Sequence, residues 1–400
     1  MKLGIVSAFP PSKVTLNEYA HHLVLNFRNH QSVSEIIVFT NITEDEVTSN
    51  YSVEDCKVTF VSCWKFNSYF NLLSIRKAIR LHQPDMVLYN LQFMKFGDKK
   101  IPAALGLFSP WLTRKMRIPT ITLLHNIMET VDLNSAGFTS SPIKASFYNA
   151  IGTQLTSIIL RSDLVTVTIE NYVDQLEQKY FASNVKLIPH GTFEIPEEPN
   201  YELSGDTKQI LAFGKFGTYK KVERLIEAVV EVRERTKERL EIVIAGTDNP
   251  NTIGYLDTVA QKFSHVEDLR FTGYVEEEDV PRIFSESTIV AFPYTSTTGS
   301  SGVLHQAASY GKAVVLPNIG DLASLIEDEG YSAGFFDPHS TSSLADAIEE
   351  FITNDNLRKS VAKNNYQAAT AIPMNHVTDL YMEAFQDIFK KRNITSWNLV

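Results

Sequence analysis

The sequence predicts an α/β protein built from two doubly wound domains of similar size, facing each other across a cleft. Three observations carry that prediction. The chain has 400 residues, too many for one ordinary single-core domain. Short apolar runs of strand length alternate with longer segments of helical period from end to end. One stretch, residues 195–206, breaks this rhythm with prolines, acids and a glycine, and reads as an interdomain linker.

Before the linker, residues 3–7, 36–40, 58–62, 86–89, 120–124, 164–167 and 186–188 are the strand candidates. Between them, 17–27, 72–81 and 172–180 repeat apolar residues at helical spacing. Strands separated by helices imply right-handed crossovers and an open, mostly parallel sheet. After the linker the alternation restarts with strands at 210–213, 240–245, 270–272, 289–292 and 313–316. Helices are predicted at 222–235, 280–286, 302–310, 323–327 and 344–353. The last segment, 377–391, is an amphipathic helix candidate. These readings give an N-terminal domain over 1–195, completed by a C-terminal helix at 377–400, and a second domain over 207–376.

Composition narrows the function classes. Hydrophobic residues make up 44% and charged residues 21%, the balance of a globular chain. The two cysteines, Cys56 and Cys63, exclude a disulfide scaffold, and no Cys/His cluster has zinc-site spacing. The first apolar run is broken by Pro10 and Pro11, too early for a signal peptide. No apolar stretch approaches the roughly 20 residues of a membrane-spanning helix. A reduced, cytoplasmic protein is expected. The net charge of −10 is uneven, with 18 Lys/Arg against 16 Asp/Glu up to Glu194 and 19 against 31 beyond it. An acidic second half argues against nucleic acid as a partner. Locally, Lys95, Lys99, Lys100, Arg114, Lys115 and Arg117 stand among Phe93, Phe96, Phe108 and Trp111. Cations beside aromatics over 93–117 suggest peripheral contact with the cytoplasmic membrane face or a phosphorylated acceptor; a partly buried helix with a solvated basic edge is the plainer reading.

Ligands of open parallel sheets bind outside the carboxyl ends of the strands, so the loops there are the candidate sites. The first runs Phe213-Gly-Lys-Phe-Gly-Thr-Tyr-Lys-Lys221 into a helix. Gly214 and Gly217 allow close approach of a ligand, the helix N-terminus favours anions, and Lys215 and Lys220 can neutralise a diphosphate. The spacing matches neither a Walker loop nor a dinucleotide fingerprint. The second loop runs Pro293-Tyr-Thr-Ser-Thr-Thr-Gly-Ser-Ser-Gly302 into another helix. Its free amides, with the Ser300 and Ser301 hydroxyls, form a cradle for an anion or sugar hydroxyl; the plainer reading is a surface loop with a serine cap. Gln306, one turn on, can donate to and accept from a diol.

At these residues the chain resembles a family. Residues 213–228 are similar to the Gly-Arg-x-x-x-x-Lys-Gly segment of the GT-B glycosyltransferases of the retaining family 4, or group 1, type. Phe271-Thr-Gly-Tyr-Val275 resembles their Gly-Tyr/Phe-Val loop, and residues 304–315 their helix–strand segment ending Gly-x-Pro-Val-Val. Phe9-Pro-Pro11, Leu123-Leu-His-Asn126 and Ile188-Pro-His-Gly191 fit further landmarks, so the likeness spans the whole chain. It implies two Rossmann-like domains in the GT-B arrangement. The chain departs from the pattern at four places. Thr298 and Gln306 stand where the family has paired glutamates, Lys215 where it has arginine, and Val14-Thr15 where it has a Gly-Gly turn.

The resemblance implies a hexosyltransferase that moves sugar from a nucleoside-diphosphate donor to a carbohydrate, lipid-linked or small-molecule hydroxyl. The expected path is front-face attack with retention, with no metal or other cofactor. Lys215 and Lys220 would stabilise the leaving diphosphate, and His125, at the end of the 120–124 strand, would touch the transferred sugar. Gly214, Thr298, Gly299, Ser300, Ser301, Gly302 and Val303 would line the donor, with Gln306 on the ribose and backbone near Tyr274 at the base. His190 reads as part of a structural turn. The alternatives are a catalytically silent GT-B partner subunit, for which the missing glutamates speak, and a GT-B sugar-nucleotide epimerase or phosphorylase. A nicotinamide dehydrogenase lacks its glycine fingerprint here.

Overall fold

The computed structural model describes residues 1–44, 47, 50–130, 142–203, 205–249, 251–297 and 299–392. The chain divides into two units. One comprises Met1–Thr130, Ser146–His190 and the C-terminal segment from Met374; the other is built on Gly191–Pro373. Among the described residues no helix is long and apolar enough to cross a membrane.

The first unit holds seven strands, β1 (Lys2–Val6), β2 (Glu35–Asn41), β3 (Lys57–Trp64), β4 (Met86–Leu91), β5 (Thr120–Leu124), β6 (Leu164–Val167) and β7 (Val185–Leu187). They form one sheet in the order β3-β2-β1-β4-β5-β6-β7, and every pairing is parallel. Ile5 of β1, for example, lies opposite Val38 of β2 and Leu88 of β4. Helices cover both faces, so β4 and β5 are buried at every residue. That is why β4 reads as a nearly continuous apolar run and not as an alternating one. Asn90, inside β4, is the polar exception.

Helix Met374–Lys391 returns to this unit. Phe385 stacks on Phe27 of helix Asn17–Phe27, with ring centroids 6.0 Å apart, and the Tyr381 hydroxyl lies 3.0 Å from Thr166 Oγ1 on β6. Just beyond, Arg392 donates to both oxygens of the Asp163 carboxylate at 2.6 Å. Asp163 also accepts from the Thr120 amide at 2.8 Å, so one charge-assisted fork ties the chain terminus to the start of β5. The part of this segment from 393 onward lies outside the described residues.

The second unit holds β8 (Lys208–Phe216), β9 (Leu240–Asp248), β10 (Leu269–Gly273), β11 (Ile289–Ala291), β12 (Ala313–Pro317) and β13 (Gly334–Phe336). Its parallel sheet runs β10-β9-β8-β11-β12-β13. Helices Glu223–Thr236 and Thr341–Thr353 bury Val229, Val232, Ile348 and Phe351 against Ile210, Ile242 and Val315.

Three elements of this unit were not foreseen. β13 is a three-residue strand on the sheet edge, too short to show a period. Helix Tyr255–Lys262 is also short, with one fully buried apolar residue, Val259. Helix Asp355–Ala371 is polar along most of its length, and tertiary contacts define it. Asn354 caps its Leu357 amide at 3.1 Å, Arg358 donates to the Tyr201 carbonyl at 2.7 Å, and Asn365 spans the Ser332 amide and the Lys312 carbonyl. In the first unit, the predicted 93–117 stretch folds into helices Lys100–Leu107 and Ser109–Lys115, divided at Phe108.

Candidate functional site

Each sheet reverses its order of growth once, between β1 and β4 in the first unit and between β8 and β11 in the second. At such a reversal the two following loops leave in opposite directions and open a crevice at the carboxyl ends. Most of the residues singled out in the sequence lie at these two places; Tyr274, past the edge strand β10, does not.

In the second unit, the loops after β8 and β11 are stitched together by main-chain bonds. Lys220 bridges Tyr294 in antiparallel fashion, the Lys221 amide donates to the Pro293 carbonyl at 3.1 Å, and the Thr295 amide donates to the Tyr219 carbonyl at 2.8 Å. The bridge places Lys220 Nζ 4.5 Å from the centroid of the buried Tyr294 ring. A cation held on an aromatic face is fixed in position while its charge stays available. Partial burial holds the Lys220 pKa below the usual lysine value. Its ammonium also lies over Gly214, where an added Cβ would stand 3.3 Å from Nζ. Gly214 has φ +133°, and a Cβ on Gly246 across the ladder would strike the Gly214 carbonyl at 1.9 Å, so this crossing requires glycine. Lys215 is exposed at the end of β8, in register with Thr247.

The β11 loop leads into helix Gly302–Ser309. Ser301 is its cap, with the hydroxyl accepting from the Leu304 amide at 3.4 Å. Ser301 thus has the capping role that the plainer reading assigns it. The amides of Gly302 and Val303 open the helix, where N–H groups have no intrahelical acceptor. Ser300 Oγ is buried and has no hydrogen-bond partner among the described residues. The Gly299 amide donates to Asp321 Oδ2 at 2.9 Å, so it is engaged within the protein. Asp321 is itself buried, in the first turn of helix Gly320–Asp328. Gln306 is half-buried one turn into helix Gly302–Ser309. Tyr274 is exposed just past β10, two strands from β8. Thr298 lies outside the described residues.

Below this helix, His305 Nδ1 lies 2.9 Å from the Tyr331 hydroxyl and 3.4 Å from Glu329 Oε2. Burial, with the neighbouring Asp328, pushes the Glu329 carboxyl up to about 8.

In the first unit the reversal gathers Ser7, Asn90, Lys95 and His125. Asn90 Nδ2 donates to Ser7 Oγ at 3.0 Å and to the Leu16 carbonyl at 3.2 Å. A carbonyl cannot donate, so this edge of the amide is nitrogen and Oδ1 faces the other way. His125 Nε2 sits 2.7 Å from that Oδ1 and therefore carries the proton. In neutral His125 the acceptor lone pair is then on Nδ1. Burial, with His190 and Lys95 nearby, holds the His125 pKa well below its ordinary value, which keeps the ring neutral. Lys95 is fully buried and donates to the Thr15 carbonyl at 2.6 Å and to Ser7 Oγ at 3.3 Å. Burial lowers its pKa too. The Val14-Thr15 turn, without the family's glycines, is thus held by the buried Lys95 side chain. Tyr19 packs edge-on against both His125 and His190, and its hydroxyl donates to the His190 carbonyl at 3.0 Å.

These features coincide with a family match. Residues 195–368 match the model of the glycosyl transferases group 1. The chain carries a glycosyl transferases group 1 domain. It is a glycosyltransferase, and its relatives agree. Over 364 residues it is 22% identical to the alpha-monoglucosyldiacylglycerol synthase of Streptococcus pneumoniae, covering 87% of this chain and 78% of that one. A D-inositol 3-phosphate glycosyltransferase of a Nocardioides species is 27% identical over 203 residues, 46% of this chain and 44% of its own. Among solved structures, sucrose-phosphate synthase of Thermosynechococcus elongatus superposes with a TM-score of 0.72 at 13% identity, covering 98% of this transferase and all of that chain. Anabaena HepE, in complex with UDP and glucose, superposes with a TM-score of 0.67 at 16% identity, covering 97% and 100%. These likenesses show the fold, two parallel-sheet α/β domains of the GT-B kind.

For this transferase the sequence reading and the structure part company at two points. The stretch 93–117 is partly buried, as its plainer reading has it, but Lys95 is not on the solvated basic edge: Phe93, Lys95 and Phe96 are buried, and Lys95 belongs to the Ser7–Asn90–His125 network. A lysine inside an apolar run was counted as solvated because one-dimensional spacing carries no depth. Asn90, Lys95 and Asp321 were missed as site residues. Asn90 had a signal, a polar residue inside an otherwise apolar strand, which marks a buried hydrogen-bonding role. Asp321 had none, because its partner Gly299 is 22 positions away.

Proposed function

We propose that this glycosyltransferase moves a hexose from a nucleoside-diphosphate sugar to a hydroxyl acceptor with retention of configuration. One observation carries the reading: Lys220 Nζ is held on the Tyr294 ring above Gly214, in the loop bridged to the one that opens helix Gly302–Ser309. A fixed cation and a helix N-terminus, on loops joined at one sheet reversal, suit two linked phosphates. The UDP-containing complexes of the fold relative Anabaena HepE support a nucleotide-sugar donor.

In this reading Lys220, with the exposed Lys215, stabilises charge as the glycosidic bond to the diphosphate breaks. The leaving phosphate accepts the acceptor's proton, so no protein carboxylate need act as base. The amides of Gly302 and Val303 and the Ser300 hydroxyl hold the donor, and Gln306 meets the ribose. Tyr274 meets the base. In the first unit, His125 Nδ1 supplies an acceptor for a sugar hydroxyl. The cations and the helix dipole do the work of a metal ion, so the reaction needs none.

The test is a thermal-shift panel of UDP, GDP, ADP and their sugars, run without metal and then with chelator. At a ligand concentration near 100 Kd, linkage gives about 2.7 kcal/mol, or roughly 5–10 °C for a unit of this size. A selective shift that survives chelator, followed by slow nucleotide release from the stabilising sugar, is the expected outcome. A shift that chelator abolishes would overturn the metal-free mechanism. No shift with any nucleotide would overturn the donor site.

A further inference from the structure

The first unit presents a surface that the transfer chemistry does not use. Between β3 and helix Asn71–His82 the chain exposes Tyr69 at 55% and Phe70 at 70%, and the helix itself exposes Leu73 at 57%. Phe66 is exposed beside them, and so is Ile101, on the packed neighbour helix Lys100–Leu107. Single exposed apolar residues are ordinary, but a run of aromatics and leucine in one place marks a contact surface.

These side chains are held outward by built structure. Asn71 is buried and clamps the Lys65 main chain from both sides, accepting from its amide at 3.0 Å and donating to its carbonyl at 2.8 Å. Asn67 donates its amide to the Phe96 carbonyl at 2.8 Å, and its side chain accepts from the Lys99 amide at 3.0 Å. The helix faces inward with Ile75, Ala78 and Ile79, which leaves Leu73, Arg76, Lys77 and Arg80 on its outer face. Lys65 and Lys99 are exposed at the near end. None of Arg76, Lys77 and Arg80 takes part in an ion pair among the described residues. The patch is therefore apolar at its centre and cationic around it, inside a chain of net charge −10.

We propose that this face docks on an anionic lipid bilayer. Phe66, Tyr69, Phe70 and Leu73 enter the headgroup–acyl boundary, and Lys65, Arg76, Lys77 and Arg80 meet lipid phosphates. The charge pattern selects this partner: aromatic side chains settle at the interface, and ammonium and guanidinium groups reach past them to the headgroups. Each cation near such a surface strengthens binding about fivefold. The proposal is independent of the donor reading, since docking needs no nucleotide.

The test is co-sedimentation of the full chain with vesicles of equal parts phosphatidylcholine and phosphatidylglycerol, and with phosphatidylcholine alone. The protein is expected to sediment with the anionic vesicles and not the neutral ones, and to be released by salt. Lys77→Glu with Arg80→Glu should weaken binding by about twenty-fold or more. Phe70→Ser with Leu73→Ser should weaken it about tenfold, while both pairs keep the wild-type melting temperature because the four residues are exposed. If either pair is unfolded, the other decides. Wild-type protein that stays in the supernatant, equal binding to neutral vesicles, or undiminished binding by both folded pairs would overturn the proposal. So would a dimer in light scattering that Phe70→Ser with Leu73→Ser dissolves, because a second copy would then be the occupant.

Discussion

Glu329→Gln is the substitution whose consequence follows most directly from the structure. The wild-type carboxyl is buried beside His305 and Tyr331, and its pKa is pushed from an ordinary 4.5 up to about 8. The folded state therefore binds the proton more tightly than the unfolded state does. Linkage then gives the sign: this group's contribution to stability is complete below pH 4.5 and is lost as pH rises through 8. Between those limits the loss has an upper bound of about 5 kcal/mol. Local rearrangement and entry of water take up part of it, which leaves about 2–4 kcal/mol. Glutamine keeps the shape and stays neutral, so the variant should escape the loss. The assay is thermal melting of both proteins at pH 5 and pH 9, read as the difference between them so that groups elsewhere cancel. Each kcal/mol moves the melting point by about 2–4 °C for a unit of this size, so the variant should gain roughly 5–10 °C over wild type at pH 9. His305 adjoins Gln306 on helix Gly302–Ser309, so the same titration loosens the proposed donor helix, and donor affinity should fall with pH in wild type only. Parallel pH curves for the two proteins would refute the reasoning, because they would show that Glu329 ionises without cost.

Three further outcomes are expected. Lys220→Ala should cut turnover by about 10²–10³ with little change in melting temperature, as loss of one preorganised charge at a leaving group does elsewhere; unchanged turnover would remove Lys220 from the diphosphate. Asp321→Asn should weaken donor binding about tenfold in calorimetry by replacing a charge-assisted bond to the Gly299 amide with a neutral one, and unaltered affinity would show that the loop keeps its shape without that charge. Asn90→Asp puts an anion where His125 Nε2 now finds an amide oxygen at 2.7 Å, which raises the His125 pKa. The acid limb of the pH–rate profile should move to higher pH, whereas a profile unmoved at reduced rate would mean Asn90 acts only through packing.

The alternation of apolar runs and helical segments was enough to read two parallel α/β sheets, because strands buried on both faces leave an unbroken apolar signature. The loops after 213 and 292 were equally legible, since glycine, lysine and serine cluster at predicted strand ends. The sequence by itself thus determined the fold class, the strand-end loops and the family likeness, all of which depend on neighbours close along the chain. Tertiary structure alone decided which polar groups meet. It set Lys220 on the Tyr294 ring, joined Asp321 to Gly299, and turned Lys95 from an apparent surface cation into a buried support for the Thr15 turn. Those outcomes depend on depth and on pairings tens of residues apart, and a buried polar group is secured only by the particular partner the fold brings to it.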